Sequence, residues 1–191
     1  MNTRIESLGH LETACWHELQ RAAVDKHHAW RTMVMATRFT AAEGEADGDG
    51  ADARVIVLRD TQIDARTLLF YTDERSGKVA QLRTAPIVTL VAWSPRLSWQ
   101  LRLRAEVAVE TDGLDVSSRW ARLKFSPAAQ DYLSPLAPGT PVTERWEPDR
   151  AERSHFAVLR ARVRSLDWLE LHAEGHRRAR FDADGAHWLA P

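Results

Sequence analysis

The residues best suited to chemistry lie in one run, Arg54–Lys78 (RVIVLRDTQIDARTLLFYTDERSGK). An apolar stretch ending at Tyr71-Thr72 passes into Asp73-Glu74-Arg75-Ser76-Gly77-Lys78, which should open a helix. A helix N-terminus offers backbone N–H groups without partners inside the helix, together with a partial positive charge. It is therefore a natural seat for a phosphate. Ser76 adds a hydroxyl, Gly77 lets a ligand approach the backbone, and Lys78 adds a mobile cation. Arg54, on a neighbouring strand, can add a bidentate fork. The same residues also fit a capped surface helix with solvated charges, and composition alone favours that plainer reading.

The flanking segments must position this run. Leu8, Leu11, Cys15, Leu19 and Ala22 recur at three- and four-residue steps and predict an opening helix over 8–27. Strands are expected at Trp30–Phe39, Arg54–Arg59, Thr67–Thr72 and Ile87–Trp93, the last apolar on both faces and so buried. A helix is expected at Arg75–Arg83, stopped by Pro86. Leu97–Val109 alternates, with Trp99, Leu101 and Leu103 on one face and Gln100, Arg102 and Arg104 on the other. Asp112–Phe125 reads as a helix capped by Asp112, within a helical insertion over 112–133. Phe156–Leu171 and a hairpin of Arg178–Phe181 with His187–Leu189 supply the C-terminal strands over 155–191.

Two breaks interrupt the pattern. Ala41–Ala53 is acidic, with three glycines and no large apolar residue, and reads as a mobile loop between strands. Ser134–Pro148 holds four prolines and one glycine and reads as an irregular excursion. Six or more mostly antiparallel strands with inserted helices predict a small β-barrel with its core over 30–109, all in a single domain of 191 residues. The connections are too short for repeated βαβ crossovers, which argues against a Rossmann fold.

Composition narrows the function classes. With 26 basic and 27 acidic residues the net charge is −1, which disfavours a nucleic-acid binder relying on bulk positive charge. No apolar run is long enough for a membrane helix, and the charged first 25 residues do not read as a signal peptide. The single cysteine, Cys15, excludes an internal disulfide, so a cytoplasmic location is expected. The His27-His28 pair and the His172/His176 pair lack partners for a convincing metal site, and no Gly-x-Ser-x-Gly elbow occurs. The Trp set (Trp93, Trp99, Trp120, Trp168, Trp188) fits core and interface better than a base-stacking platform.

The ordered motifs resemble the pyridoxamine 5′-phosphate oxidase-like flavoproteins, the FMN-binding split β-barrels. They are Arg54-Val55-Ile56-Val57-Leu58-Arg59, Phe70-Tyr71-Thr72, Arg75-Ser76-Gly77-Lys78, the strand ending at Trp93, and Gln100. Order and spacing match over roughly Trp16–Val109, and a weaker echo continues to the closing Trp188-Leu189-Ala190-Pro191. The general FMN-binding subgroup fits better than the vitamin-pathway enzyme itself.

The resemblance implies FMN as cofactor and a homodimer with FMN sites at the subunit interface. It implies that Arg54, Ser76 and Lys78 hold the FMN phosphate, and that Tyr71 and Thr72 line the ribityl chain and phosphate. Val55 and Leu58 contact the cofactor from the Arg54 strand, and Arg59 lies near the isoalloxazine ring. Gln100, from the second subunit, and Arg180 contact the flavin, with Arg178 the alternative to Arg180. Arg54 and Arg59 are five apart, so a flat strand puts them on opposite faces, and one ligand can meet both only through a twist, a bulge or a strand end.

Three departures separate this chain from the family pattern. Gly77 replaces a common second Arg in the phosphate turn. The vitamin enzyme's substrate-phosphate helix is altered, its nearest counterparts being Trp120, Lys124 and Ser126 or Ala128, and Trp120 and Lys124 with Arg178 form the candidate substrate set. The C-terminal Arg-x-His clamp is absent in clean form, reading His176-Arg177-Arg178-Ala179-Arg180. The expected function is an FMN-dependent oxidoreductase acting on a small molecule, with no nucleic-acid or membrane partner. The alternatives are a flavin carrier or sensor without turnover, and a pyridoxamine or pyridoxine 5′-phosphate oxidase.

Overall fold

In the computed structural model, which describes residues 4–39, 49–143 and 155–191, eight strands form one antiparallel sheet. They are β1 (Thr32–Phe39), β2 (Gly50–Gln62), β3 (Thr67–Asp73), β4 (Ile87–Ser94), β5 (Trp99–Glu110), β6 (Phe156–Glu170), β7 (Arg177–Asp182) and β8 (Gly185–Leu189). Their order is β3-β2-β1-β4-β5-β6-β7-β8, and a further β3–β6 pairing closes the first six into a barrel.

Closure depends on the long strand β6. One edge pairs with β5 from Val158 to Glu170. The other edge is divided: Phe156–Arg162 pairs with β3, and Leu166–Glu170 pairs with β7. At the fork the Val163 N–H donates to the Arg66 carbonyl at 2.8 Å, and the β5–β6 register shifts beside Arg104. A bulge adds local twist, so the β7–β8 hairpin leaves the barrel wall as an extension. That hairpin closes on the Asp182–Gly185 pair, where Gly185 (φ +121°) takes the left-handed backbone that favours glycine.

Helices fill the two ends of the barrel. Helix α1 (Leu8–Val24) buries Leu11, Cys15, Leu19 and Ala22 in the same core as the inward-facing Met33, Leu58, Phe70 and Leu90. The Thr61 hydroxyl donates to the Leu19 carbonyl at 3.2 Å, tying this helix to the far end of β2. At the opposite end α2 (Gly77–Thr84) buries Val79 and Leu82. Helix α3 (Gly113–Leu123) lies outside the barrel wall, over a smaller apolar cluster of Leu69, Val116, Tyr132, Phe156 and Val158.

Several expectations change. The stretch Gly50–Ala53, placed in the acidic loop, is the start of β2, because β1 continues to Phe39 and supplies it with a partner. Of the rest of that loop, Asp49 is described and 41–48 lies outside the described residues, as does 144–148 of the proline-rich excursion. Trp30 lies in a 3₁₀ turn, Ala29–Arg31, ahead of β1. Strand β4 is buried on one face only. Val88, Leu90 and Ala92 point into the core, while on the other face Ile87, Thr89 and Val91 are half-buried and Trp93 is 41% exposed. Asp112 precedes α3 but makes no side-chain capping bond.

Candidate functional site

At the α2 end of the barrel the inward-facing residues of the wall are polar. Thr37, Arg54 and Thr72 continue the inner faces of β1, β2 and β3 beyond Met35, Ile56 and Phe70, and α2 delivers Lys78 and Gln81 to the same place. The Lys78 Nζ donates to Thr72 Oγ1 at 3.0 Å and to Ser76 Oγ at 3.1 Å. Those two hydroxyls are 3.1 Å apart, and Ser76 Oγ also donates to the Asp73 carbonyl at 2.8 Å. Thr72 and Ser76 are buried, so this is a built contact and not a surface coincidence. Gly77 and Lys78 lead the helix, and helix geometry leaves their N–H groups without partners inside it. A Cβ added at Gly77 would meet nothing within 4 Å, so the space before α2 is open.

Arg54 stands beside this group. Its Nη1 donates to Thr37 Oγ1 at 2.5 Å and its Nη2 to Gln81 Oε1 at 3.0 Å, and it pairs with the Asp52 carboxylate. Burial and the Arg54 charge push the Lys78 ammonium below the usual lysine range, while Asp73 and Asp52 pull it back. Two crowded cations with two hydroxyls and a helix N-terminus suit a dianionic phosphate, whose charge would relieve their repulsion. Thr37, Gln81 and Asp52 were missed in the sequence. Gln81 sits three residues after Lys78 and so shares its helix face, which is the signal that could have found it.

The remaining candidates are distributed elsewhere. Of the twist, bulge or strand end left open by the sequence, a bulge is present, with the β2–β3 register shifting between Leu58 and Asp60. It does not bring Arg59 to Arg54. Arg59 lies over the Tyr71 ring, 5.7 Å from its centroid, on the outer side of the wall. Strand alternation explains why Tyr71 and Thr72 part company: Thr72 faces the Lys78 group, and Tyr71 packs edge-on against Phe156 at 4.9 Å. Arg119 of α3 locks this region by bonding Asp115, Asp60 and Tyr71. Burial opposes the Arg119 charge, but these bonds outweigh it and raise its pKa. The Leu58 side chain is fully buried in the barrel core, so a cofactor contact at this position would have to come from its backbone.

Gln100, Arg178 and Arg180 lie on the outer face. The pairing Trp93–Gln100–Leu169–Arg178 forms one row across β4, β5, β6 and β7, with Arg180 in the next row. Val55, 66% exposed, shares the outer surface with Val34 and Val91. The substrate set is not gathered in one chain. Trp120 packs on Phe156 and Tyr132, Lys124 rests on Phe125, and Arg178 pairs with Asp167 on the far hairpin. Arg75 also turns away from Lys78, bonding Asp73 and the carbonyls of Ser134, Pro135 and Leu136. Among the described residues no cluster of metal-ligating side chains occurs, and no helix is long and apolar enough to cross a membrane.

Solved structures share the architecture. A pyridoxamine 5′-phosphate oxidase-related, FMN-binding protein from Nostoc punctiforme superposes with a TM-score of 0.69, covering 94% of this chain and 96% of its own at 22% identity. PhzG from Burkholderia lata, in complex with tetrahydrophenazine-1-carboxylic acid, gives 0.74 over 100% and 99% at 17% identity. In sequence, a pyridoxine/pyridoxamine 5′-phosphate oxidase of Chromohalobacter salexigens is 38% identical over 55 residues, which is 29% of this chain and only 25% of that enzyme. The family described as pyridoxamine 5′-phosphate oxidase, FMN-binding domain, matches residues 13–111, a stretch holding the whole Arg54–Thr72–Ser76–Lys78 group and more than half of the chain. On that match the chain belongs to the family of pyridoxamine 5′-phosphate oxidase FMN-binding domains.

Proposed function

We propose that this chain binds FMN with its phosphate at Lys78, Thr72, Ser76 and Arg54 and acts as an oxidoreductase on a small molecule. The observation that carries this reading is the Lys78 ammonium, held between two buried hydroxyls beside Arg54 at the start of α2. FMN, when bound, supplies a ring that accepts and returns hydride. The chain's own contribution is to orient that group through its phosphate and to present donors to its ring.

Those donors call for a second copy. Gln100 and Arg180 project from the outer face of β5 and β7, whereas Lys78 and Arg54 sit at the barrel end. Val34, Val55 and Trp93 make an exposed apolar band on that outer face, at 40%, 66% and 41% exposure. A homodimer that buries the band would bring the Gln100 row of one protomer toward the phosphate seat of the other. A cytoplasmic location accords with the single cysteine, which allows no internal disulfide.

One observation favours a non-catalytic carrier or sensor as the second reading. On α3, Trp120 is taken up in aromatic packing and Arg119 is fully engaged, which leaves little to grip a substrate. The same packing weighs against pyridoxamine phosphate oxidation. The test is to titrate purified chain with FMN and with riboflavin. It is followed by anaerobic reduction with a nicotinamide cofactor and reoxidation across a substrate panel. Tighter binding of FMN than of riboflavin, with turnover, is the expected result. No FMN uptake would remove the reading, and uptake without turnover would leave the carrier.

A further inference from the structure

The Arg54 guanidinium, which the phosphate reading needs, already holds an anion of its own chain. Asp52 lies two residues earlier on the same face of β2 and pairs with it directly. Gln81 connects the two. Its Oε1 accepts from Arg54 Nη2 at 3.0 Å and from Thr37 Oγ1 at 2.6 Å, and its Nε2 donates to Asp52 Oδ2 at 2.9 Å. The amide orientation is chemically forced, because two donors face one end and a carboxylate faces the other. The Asp52 side chain is 50% exposed and Arg54 is 19% exposed, so the pair stands at the mouth of the seat where a ligand would arrive.

A phosphate reaching Arg54 must either displace the Asp52 carboxylate or bind beside it against like-charge repulsion. Both routes make Asp52 a competitor. Gln81 limits that competition: its Nε2 donates to the same Asp52 Oδ2 that pairs with Arg54 and so shares that oxygen's charge, and its Oε1 keeps Arg54 aimed along the barrel mouth. We infer that Asp52 is a built-in counter-ion that sets how strongly the seat selects a phosphorylated ligand, and that Gln81 is the positioning residue that keeps Arg54 available. This rests on the phosphate reading of the Lys78 group and adds the residues that tune it.

The test uses the full chain and titrates FMN, riboflavin and inorganic phosphate separately. Asp52→Asn preserves an acceptor for Gln81 Nε2 and removes only the charge. Its FMN dissociation constant should fall on the order of fivefold, the scale of a half-exposed ion pair, with riboflavin affinity unchanged. Gln81→Leu should weaken FMN but not riboflavin, and adding Asp52→Asn should restore the lost affinity. A purely structural role for Gln81 would give no such rescue. Unchanged or weaker FMN binding by folded Asp52→Asn, or failure of the rescue, overturns the inference. If the unaltered chain takes up no FMN, the flavin reading falls separately. Inorganic phosphate then decides the counter-ion: a fivefold gain in Asp52→Asn sustains it, and equal affinities, or no phosphate binding by either chain, end it.

Discussion

Replacing Glu170 by Gln should cost this protein a large part of its stability, because one buried carboxylate joins three separated parts of the chain. Glu170 closes β6 and is 7% exposed. It accepts from Arg4 Nε and Nη2 at 3.0 and 2.7 Å, from Arg177 Nε at 2.9 Å, and from Trp99 Nε1 at 3.3 Å. Arg177 in turn lies 5.6 Å from the Trp168 ring and 5.8 Å from the Trp188 ring. The N-terminal segment, β5 and the β7–β8 extension therefore meet at this one group. Gln keeps the shape but loses the charge, leaving Arg4 without a carboxylate among the described residues and Arg177 with only the exposed Glu6. Breaking a buried pair costs about 3–5 kcal/mol. Arg4 and Arg177 retain 23% and 17% exposure, so the lower end applies, about 3 kcal/mol. For a chain of this size that lowers Tm by roughly 6–12 °C.

The pH dependence gives an independent check. Burial alone would raise the Glu170 pKa, but hydrogen bonds from Arg177, Arg4 and Trp99 outweigh it and hold it below the usual 4.5. A carboxyl depressed on folding stabilises fully above its unfolded pKa and loses that contribution as pH falls through the folded value. The gap between the unaltered chain and Glu170→Gln should therefore be greatest near neutral pH and shrink below about 4.5. Calorimetric melting across that range measures it. A neutral-pH difference under about 1 °C, or a gap that ignores pH, would refute the reasoning.

Other outcomes follow from the same geometry. Lys78→Ala and Arg54→Ala should each weaken FMN binding by about 1.5–3 kcal/mol, the range for charge-assisted hydrogen bonds, with riboflavin little changed in calorimetric titrations. If the exposed apolar band is the dimer face proposed above, Trp93→Glu with Val55→Asp places charge on it, and sedimentation should then report a dimer for the unaltered chain and a monomer for the variant. Cys15 is fully buried, and burial, then Glu12 and Glu18, push its thiol up, so it should react with a disulfide reagent only on unfolding. Rapid labelling of native protein would contradict that burial.

Much of the barrel was legible in local pattern. The period-2 alternation of β5 and the three- and four-residue stripe of α1 state which face each element buries, and both are found as read. Element ends were less legible. β2 starts at Gly50 inside an acidic, glycine-containing stretch, because a partner strand satisfies its backbone whatever its propensity. The Thr72–Ser76–Lys78 group was legible because it spans seven consecutive residues, where turn and helix chemistry act locally.

What the sequence determined alone was this short-range order: which residues could cradle a phosphate and which faces had to be apolar. Tertiary structure decided what long separations hide. A bulge at Arg59, one of three routes the sequence left open, exists, yet it turns that side chain to Tyr71 and not toward Arg54. The Leu58 side chain is turned into the core, leaving only its backbone to meet a ligand. Thr37 and Gln81, 44 residues apart, meet at Arg54 only because β1, β2 and α2 converge on one barrel end. Such encounters are fixed by strand register and barrel closure, which depend on the whole sheet and leave no signature in any one segment.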